Sequence, residues 1–406
     1  MAVYTLENTI MEYDWGDPDQ IPQLLGVPNP ERTPKAELWM GAHPSAPSKI
    51  VELSGRPLDE AIRDDPGAFL GAAAADRHDT TLPFLFKVLA AGKPLSIQTH
   101  PDKKQAEAGF RRENEAGIPL DAPQRNYKDS NHKPEIICAL TPFWALRGFR
   151  PPEEMWNLLS PVAEGVVAEA LAALEDSKNE AGIRGFFQRF LSADSGSLGE
   201  GVTATVDRIR RGGSAAGMPQ DEIRWVGELA AAYPGDSGVL CPLILNLIRL
   251  EPGQAMYLPA GELHAYLQGL GMELMANSDN VLRGGLTAKH VDVPELLRTL
   301  HFEGRKPEIL LPDDQASGAA VYRIPTDEFS LSRITLAGGS AFRGRSDRSL
   351  EIILCYEGTC LISAGTADMA APRRLEAGKG TSLLLPASSG EYTITGRGTL
   401  YKAAVP

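Results

Sequence analysis

The chain is poor in cysteine, poor in long apolar runs and poor in positive charge. Its four cysteines, Cys138, Cys241, Cys355 and Cys360, are scattered with no CxxC pair, which argues against a disulfide framework or a cysteine metal site and fits thiols kept reduced in a cytoplasm. No uninterrupted apolar segment approaches the roughly 20 residues needed to span a bilayer, and the opening "MAVYTLENTIMEYDWG" lacks the charged-then-apolar layout of a secretion signal. A soluble cytoplasmic chain with no membrane partner is therefore expected. Basic residues number 40 against 53 acidic ones, for a formal charge of −13. That balance disfavours nucleic acid as a partner. A small anion remains open to it, provided that cations gather locally.

What is present is enough chain for more than one core. At 406 residues, two or three domains are expected. From about residue 2 to 150 the sequence is broken by Pro and Gly and carries short β-like runs, so it reads as all-β with long loops. After Pro151 and Pro152 the period changes. "EEMWNLLSPVAEGVVAEALAALEDS" can line one helical face with Val162, Val166, Ala170, Leu171 and Leu174, and "DEIRWVGELAAAY" follows with Asp221 placed to cap it. A helical domain is thus expected over residues 151–235. Strand texture returns at "LILNLIRL" and holds nearly to the end, with one helix expected at "DVPELLRTL".

Within that last part the chain repeats a pattern. "LEPGQAMYLPAGELHAYLQG" and "LEAGKGTSLLLPASSGEYTITG" align with Pro259 on Pro386 and Gly253 on Gly380, which sets His264 against Glu391. Turn, strand and turn recur. The second copy lacks any QxH or HxH, so residues 306–406 are expected to form a barrel without a metal site.

"GKPLSIQTHPDKK" places Gln98 and His100 on one face of a short strand, because side chains two apart point the same way. The pair could be a structural polar pair. Two distant groups alter that reading: His264 in the later Gly-rich segment, and Glu135 in "YKDSNHKPEIICAL". Together the two segments resemble the paired signature motifs of the cupin superfamily, jelly-roll barrels that hold a metal in the mouth. Gln98 then stands where a first histidine is usual, and Gln268 where a final Asn is usual. Gln98, His100, Glu135 and His264 offer one amide oxygen, two imidazoles and one carboxylate. That set suits zinc, and iron, manganese and cobalt accept the same donors.

A more specific likeness follows. "YDWG", "PKAELWMGAHPSAPS", "QTHPDKKQAE", "YKDSNHKPE", "LPAGELHAYLQG" and "MANSDNVLRGGLTAKHVDV" occur in an order that resembles the type I mannose-6-phosphate isomerase family over essentially the whole chain. The resemblance implies a mainly β fold with two cupin barrels and an inserted helical domain. The catalytic barrel would take residues 1–150 and 236–305. It implies one zinc per chain on Gln98, His100, Glu135 and His264, and interconversion of mannose 6-phosphate and fructose 6-phosphate. Separately from the resemblance, a monomer is expected. Its substrate pocket falls on Trp15, Glu37, Lys87, Ser96, Lys133, Tyr266, Glu273, Asp279, Arg283 and Lys289. Met11 and "TAKH" depart from the family pattern without touching a ligand.

The reaction explains the residue types. Moving hydrogen between C1 and C2 through an enediol needs a base for the carbon proton and an electrophile for the developing oxyanion. Zinc, Arg283 and Lys133 are candidates for the second task. Glu273, Asp279 and His132 are candidates for the first, and His132 with Lys133 could also open the sugar ring. Lys87, Arg283 and Lys289, with the Ser96 hydroxyl, could bind the phosphate. Lys87 stands alone in "LPFLFKVLAAG", where a buried lysine needs an anion. His43 in "GAHPSAPS" reads as a hydrogen-bonded loop histidine. An isomerase of an unphosphorylated sugar, a cupin oxygenase and a non-catalytic sugar-phosphate sensor are the competing functions.

Overall fold

The computed structural model describes residues 3–213, 217–315, 318–365 and 372–406. The fold is built mainly on two antiparallel sheets, one of ten strands and one of eleven. The ten-stranded sheet is organised by His264–Ala276, a 13-residue strand that pairs in turn with Ile97–Thr99, Phe143–Phe149, Phe84–Ala91 and Glu135–Ala139. One strand can serve so many neighbours because its pairing is irregular between Tyr266 and Gln268. Next to that irregularity lies Gly269, at φ +130, where a Cβ would sit 2.9 Å from the Phe143 Cα. Glycine is required there by close backbone approach.

The two faces of this sheet have different tasks. Leu38, Phe86, Val88, Ile136, Cys138, Met272 and Leu274 point outward and share one core with Ile352, Leu354, Leu384 and Tyr401 of the second sheet. The alternate positions, including Glu37, Lys87, Glu135 and Glu273, therefore point to the opposite face. Both faces are closed to solvent, which is why Phe84–Ala91 is buried at every position.

Helices run through the segment from Pro152 to Ala232: Pro152–Leu159, Val166–Asp176, Glu180–Leu191, Ser195–Gly212 and Gln220–Ala232. Their apolar stripes bury Leu171, Leu174, Phe186, Phe187, Phe190 and Trp225 against Ile97, Leu146, Leu263 and Leu282 from the first sheet. Two details differ from the sequence reading. Val167 rather than Val166 is on the buried side, and Asp221 lies in the first turn of its helix, whose N-cap is Pro219 with no side-chain cap. Asp292 does cap Val293–Thr299, accepting from the Glu295 N–H.

The early region is not all-β. It contains Gln20–Leu25, Leu58–Asp64, Pro66–Leu70, Ala72–Arg77 and Lys103–Glu115 as helices. The last of these is closed by a capping box between Asp102 and Gln105. Its buried face is Ala106, Gly109 and Glu113, so it has no apolar stripe to betray it. Gly109 lies against the Tyr127 ring, 2.4 Å from where a Cβ would be.

Strand pairing also joins the N-terminal segment to the second sheet. Tyr4–Glu7 joins the second sheet, with Tyr4 opposite Leu384, and brings Lys49–Ile50 and Arg56–Pro57 with it.

The sequence repeat has a structural counterpart at one instructive place. Leu258 pairs with Glu135, and Leu385, which aligns with Leu258, pairs with Glu351. Glu351 is 3% exposed. It accepts from the Lys402 ammonium at 2.6 Å and the Tyr392 hydroxyl at 2.7 Å, with Arg348 Nε at 3.4 Å. The chain thus neutralises this second carboxylate with its own cations. Removing one partner of such a pair leaves a buried charge under-compensated. Lys402→Met is expected to lower stability by about 3 kcal/mol, read as a shift of the urea unfolding midpoint. An unchanged midpoint would show that Arg348 and Tyr392 suffice.

Candidate metal centre

Register brings the site together. Gln98 lies between two partners, paired with His264 on one side and with Arg283 of Leu282–Gly285 on the other. Directly opposed residues in an antiparallel ladder project to the same face, so an amide, an imidazole and a guanidinium form one row. His100 follows one residue after the strand Ile97–Thr99, and Glu135 opens the strand Glu135–Ala139 directly after Pro134.

His100, Glu135 and His264 converge, each offering one ligand atom within 4.8 Å of the others. All three are at most 1% exposed. The His100 ring pairs its Nδ1 with the Asn280 carbonyl at 2.7 Å, and His264 pairs its Nδ1 with the Glu262 carbonyl at 3.0 Å. A carbonyl accepts only, so each ring carries its proton on Nδ1 and presents a bare Nε2. Those Nε2 atoms lie 3.3 and 3.4 Å from the two Glu135 oxygens. Among the described residues, both Nε2 atoms and Glu135 Oε2 lack hydrogen-bond partners. Three buried orphan acceptors facing one another are costly without a cation between them. The donor set therefore fits a metal ion.

The electrostatics agree. Burial pushes the His100 imidazole down to about 4, Glu135 opposing and Lys133 assisting, so the ring is neutral and able to ligate at pH 7. Burial raises the Glu135 carboxyl, but the Lys133 ammonium leads the interactions that outweigh it and hold the group well below the usual range. The Lys133 ammonium lies 3.2 Å from Glu135 Oε1. Gln98 is half-buried beside this group.

Lys87 forms a second cluster. It lies directly opposite Glu273 on one side and Trp39 on the other. Its ammonium is 3.0 Å from Glu273 and 3.5 Å from Glu37, and it sits 5.3 Å above the Trp39 ring. The anion that this lysine needs is supplied within the chain, which corrects its reading as an open phosphate contact. Trp39 Nε1–H also donates to Glu37 at 2.7 Å. Burial raises the Glu273 carboxyl, with Lys87 opposing and Glu135 and Glu37 adding to the rise. The Tyr266 hydroxyl is buried without a hydrogen-bond partner among the described residues, and burial and the same carboxylates keep it well above the usual phenol range. Trp15 packs on the cluster that includes Tyr266, and Ser96 is half-buried.

The remaining cations do not have such partners. Arg283 has no ion pair among the described residues, and burial alone depresses it. Lys289 is depressed first by Arg283, then by burial and by Lys128. Lys128 is thus a third member of this positive group. It was not foreseen, because its place depends on a loop. Asn280 builds that loop: its carboxamide accepts from the Lys128 N–H at 2.7 Å and donates to the Asp129 and Asn131 carbonyls at 2.9 and 2.8 Å. Asn280 also orients His100 through its own backbone carbonyl.

Two candidate bases separate. Asp279 is half-exposed, with the His43 Nε2 at 3.7 Å. His132 is turned elsewhere: its Nε2 pairs with Glu328 in a cavity lined also by Pro134, Tyr257, Thr326 and Asp327, which includes neither Lys133 nor any of the converging ligands. The expected grouping of His132 with Lys133 does not occur. The hydrogen bond from His132, opposed by burial and aided by Thr326, pushes the Glu328 carboxyl down to about 2. A carboxyl depressed on folding stabilises above its unfolded value of about 4.3 and loses that contribution as pH falls toward 2. Glu328→Gln should therefore cost about 1–2 kcal/mol at pH 6 and progressively less below pH 4, measured by urea unfolding. A cost that does not change with pH would overturn this.

Relatives of the chain carry the same architecture. The family model for the catalytic domain of type I phosphomannose isomerase matches residues 3–152. The mannose-6-phosphate isomerase of Salmonella typhimurium is 40% identical over 398 residues, covering 97% of each chain. The chain belongs to the type I phosphomannose isomerase family. The human mannose-6-phosphate isomerase is 34% identical over 396 residues, 91% of each chain. Among solved phosphomannose isomerases, a zinc-bound structure superposes with a TM-score of 0.88 at 36% identity over 100% of both chains, and an alanine variant of the Salmonella typhimurium protein with 0.89 at 36% identity, again over 100% of both. Among the described residues, no helix is long and apolar enough to cross a membrane.

Proposed function

We propose that this chain is a zinc-dependent isomerase that interconverts mannose 6-phosphate and fructose 6-phosphate. The observation that carries the reading is the juxtaposition of three buried, unpartnered ligand atoms with a separate group of unpaired cations. His100, Glu135 and His264 would hold the ion, and Gln98, in register with His264, would complete the set. When bound, zinc supplies a Lewis acid that polarises a sugar oxygen. The two sheets and the helical segment would correspond to a catalytic cupin barrel, a second barrel and an inserted domain.

The chain's own residues divide the remaining work. Arg283, on the same face as Gln98, stabilises the oxyanion of the enediol, and Lys133, held against Glu135, assists it. Glu273 is buried with a raised pKa, which suits a group that must take a proton from C2 and return it to C1 near neutral pH. Lys87 holds Glu273 in place. Asp279, at the wetter side, exchanges protons with the sugar hydroxyls. Lys289 and Lys128 with Arg283 receive the phosphate, while Trp15 and Tyr266 wall the sugar.

A coupled assay with mannose 6-phosphate tests this. Activity should vanish on chelation and return with zinc. Unphosphorylated mannose should turn over at least ~100-fold more slowly, because the cation group would have no anion to bind. Equal rates on the two sugars would overturn the phosphate assignment. Absence of isomerisation by the zinc-loaded chain would instead favour a sensor.

A further inference from the structure

We propose that His43 is a positioning residue that holds the Asp279 carboxylate toward the substrate; this rests on the reading that Asp279 works in the reaction. His43 is 5% exposed although it lies in a loop. Its Nδ1 accepts the Ser45 N–H at 3.3 Å, which places the ring proton on Nε2. The nearest carboxylate to that Nε2 is Asp279, with Oδ1 3.7 Å away.

The contrast with the other two buried imidazoles is informative. His100 and His264 spend one N–H on a backbone carbonyl, as a ring fixed for ligation does. His43 spends none on the backbone. Its free N–H faces a carboxylate whose side chain is 51% exposed, at the wall of a cavity of about 460 Å³ that Asp129, Asn277 and Ser278 also line. A histidine that only tied down its loop would have no need of a second nitrogen near that carboxylate.

His43 is itself held from behind. The Trp39 ring meets it edge-on, with centroids 4.9 Å apart at 74°. The Trp39 N–H is fixed on Glu37, which contacts Lys87. The rigid cluster around Lys87 thereby orients the imidazole, and the imidazole orients Asp279. The Asp279 backbone is anchored separately, its N–H donating to Asp129 at 2.7 Å. Only its carboxylate is left to be placed. At 3.7 Å the contact is longer than a hydrogen bond, and it would shorten when a sugar hydroxyl engages the other oxygen.

A double-mutant cycle on the zinc-loaded enzyme decides the matter. His43→Phe should lower kcat about 30-fold with KM changed by less than about 3-fold, at unchanged zinc content. His43→Gln, whose amide N–H falls near the Nε2 position, should recover most of that loss. In an Asp279→Asn background, His43→Phe should cost nothing further. Multiplicative losses in the double variant, or full turnover of His43→Phe, would overturn the proposal while leaving Asp279 its role. Full turnover of Asp279→Asn would overturn the role of Asp279, and the proposal with it. Should His43→Phe not fold, His43→Asn takes its place in the cycle, since its shorter amide keeps the Ser45 contact but cannot reach Asp279.

Discussion

His264→Ala should purify without its metal and lose turnover of mannose 6-phosphate by a factor on the order of 1,000 or more. The imidazole is fully buried, and its Nε2 faces Glu135 at 3.4 Å with no other partner. Alanine removes a neutral donor and opens a polar void beside a buried carboxylate. The remaining ligands, His100 and Glu135 with Gln98, could still bind a metal weakly, so added zinc is expected to restore little activity at ordinary concentrations. Metal content by elemental analysis and kcat should fall together. A variant that retained stoichiometric zinc while losing activity would show that His264 is not a ligand, and the site would have to be redrawn around His100 and Glu135.

Arg283→Ala should do the opposite, keeping its zinc and losing turnover by roughly 100- to 1,000-fold, the scale of removing a preorganised donor from a developing oxyanion. Among the described residues Arg283 makes no ion pair with the converging ligands, and burial depresses its guanidinium. A half-buried guanidinium with no ion pair among the described residues has its charge available to a ligand. The loss should appear mostly in kcat if Arg283 acts on the enediolate, and mostly in KM if it acts on the phosphate alone. Normal turnover of Arg283→Ala would show that neither role is correct.

Some structural signals survive in one dimension and others do not. The converging ligands were legible because metal-binding side chains come in a few types at short, strand-compatible spacings. Gln98 and His100 two apart is such a spacing, and His264 after a Gly-rich turn is another. The helices after Pro152 were legible through apolar period. Lys103–Glu115 was not, because its buried side is Ala, Gly and Glu, and period can be read only where the buried residues are apolar. The placement of Tyr4–Glu7 in the second sheet was equally hidden, since strand composition says nothing about the partner.

The roles of the charged residues were the least legible. Lys87 was correctly seen to need an anion, yet which anion depended on a register that sets Glu273 directly opposite it. His132 and Lys133 are neighbours in the chain and part company in space, one toward Glu328 and the other toward Glu135. Lys128 and Asn280 gave no signal, because Asn280 reaches the Lys128 backbone from 152 residues away and His100 from 180. Residue type and local spacing thus determined what chemistry this protein could carry. Tertiary structure alone decided which charges neutralise one another and which stay free for a substrate, because pairing depends on distance through space and on exclusion of water.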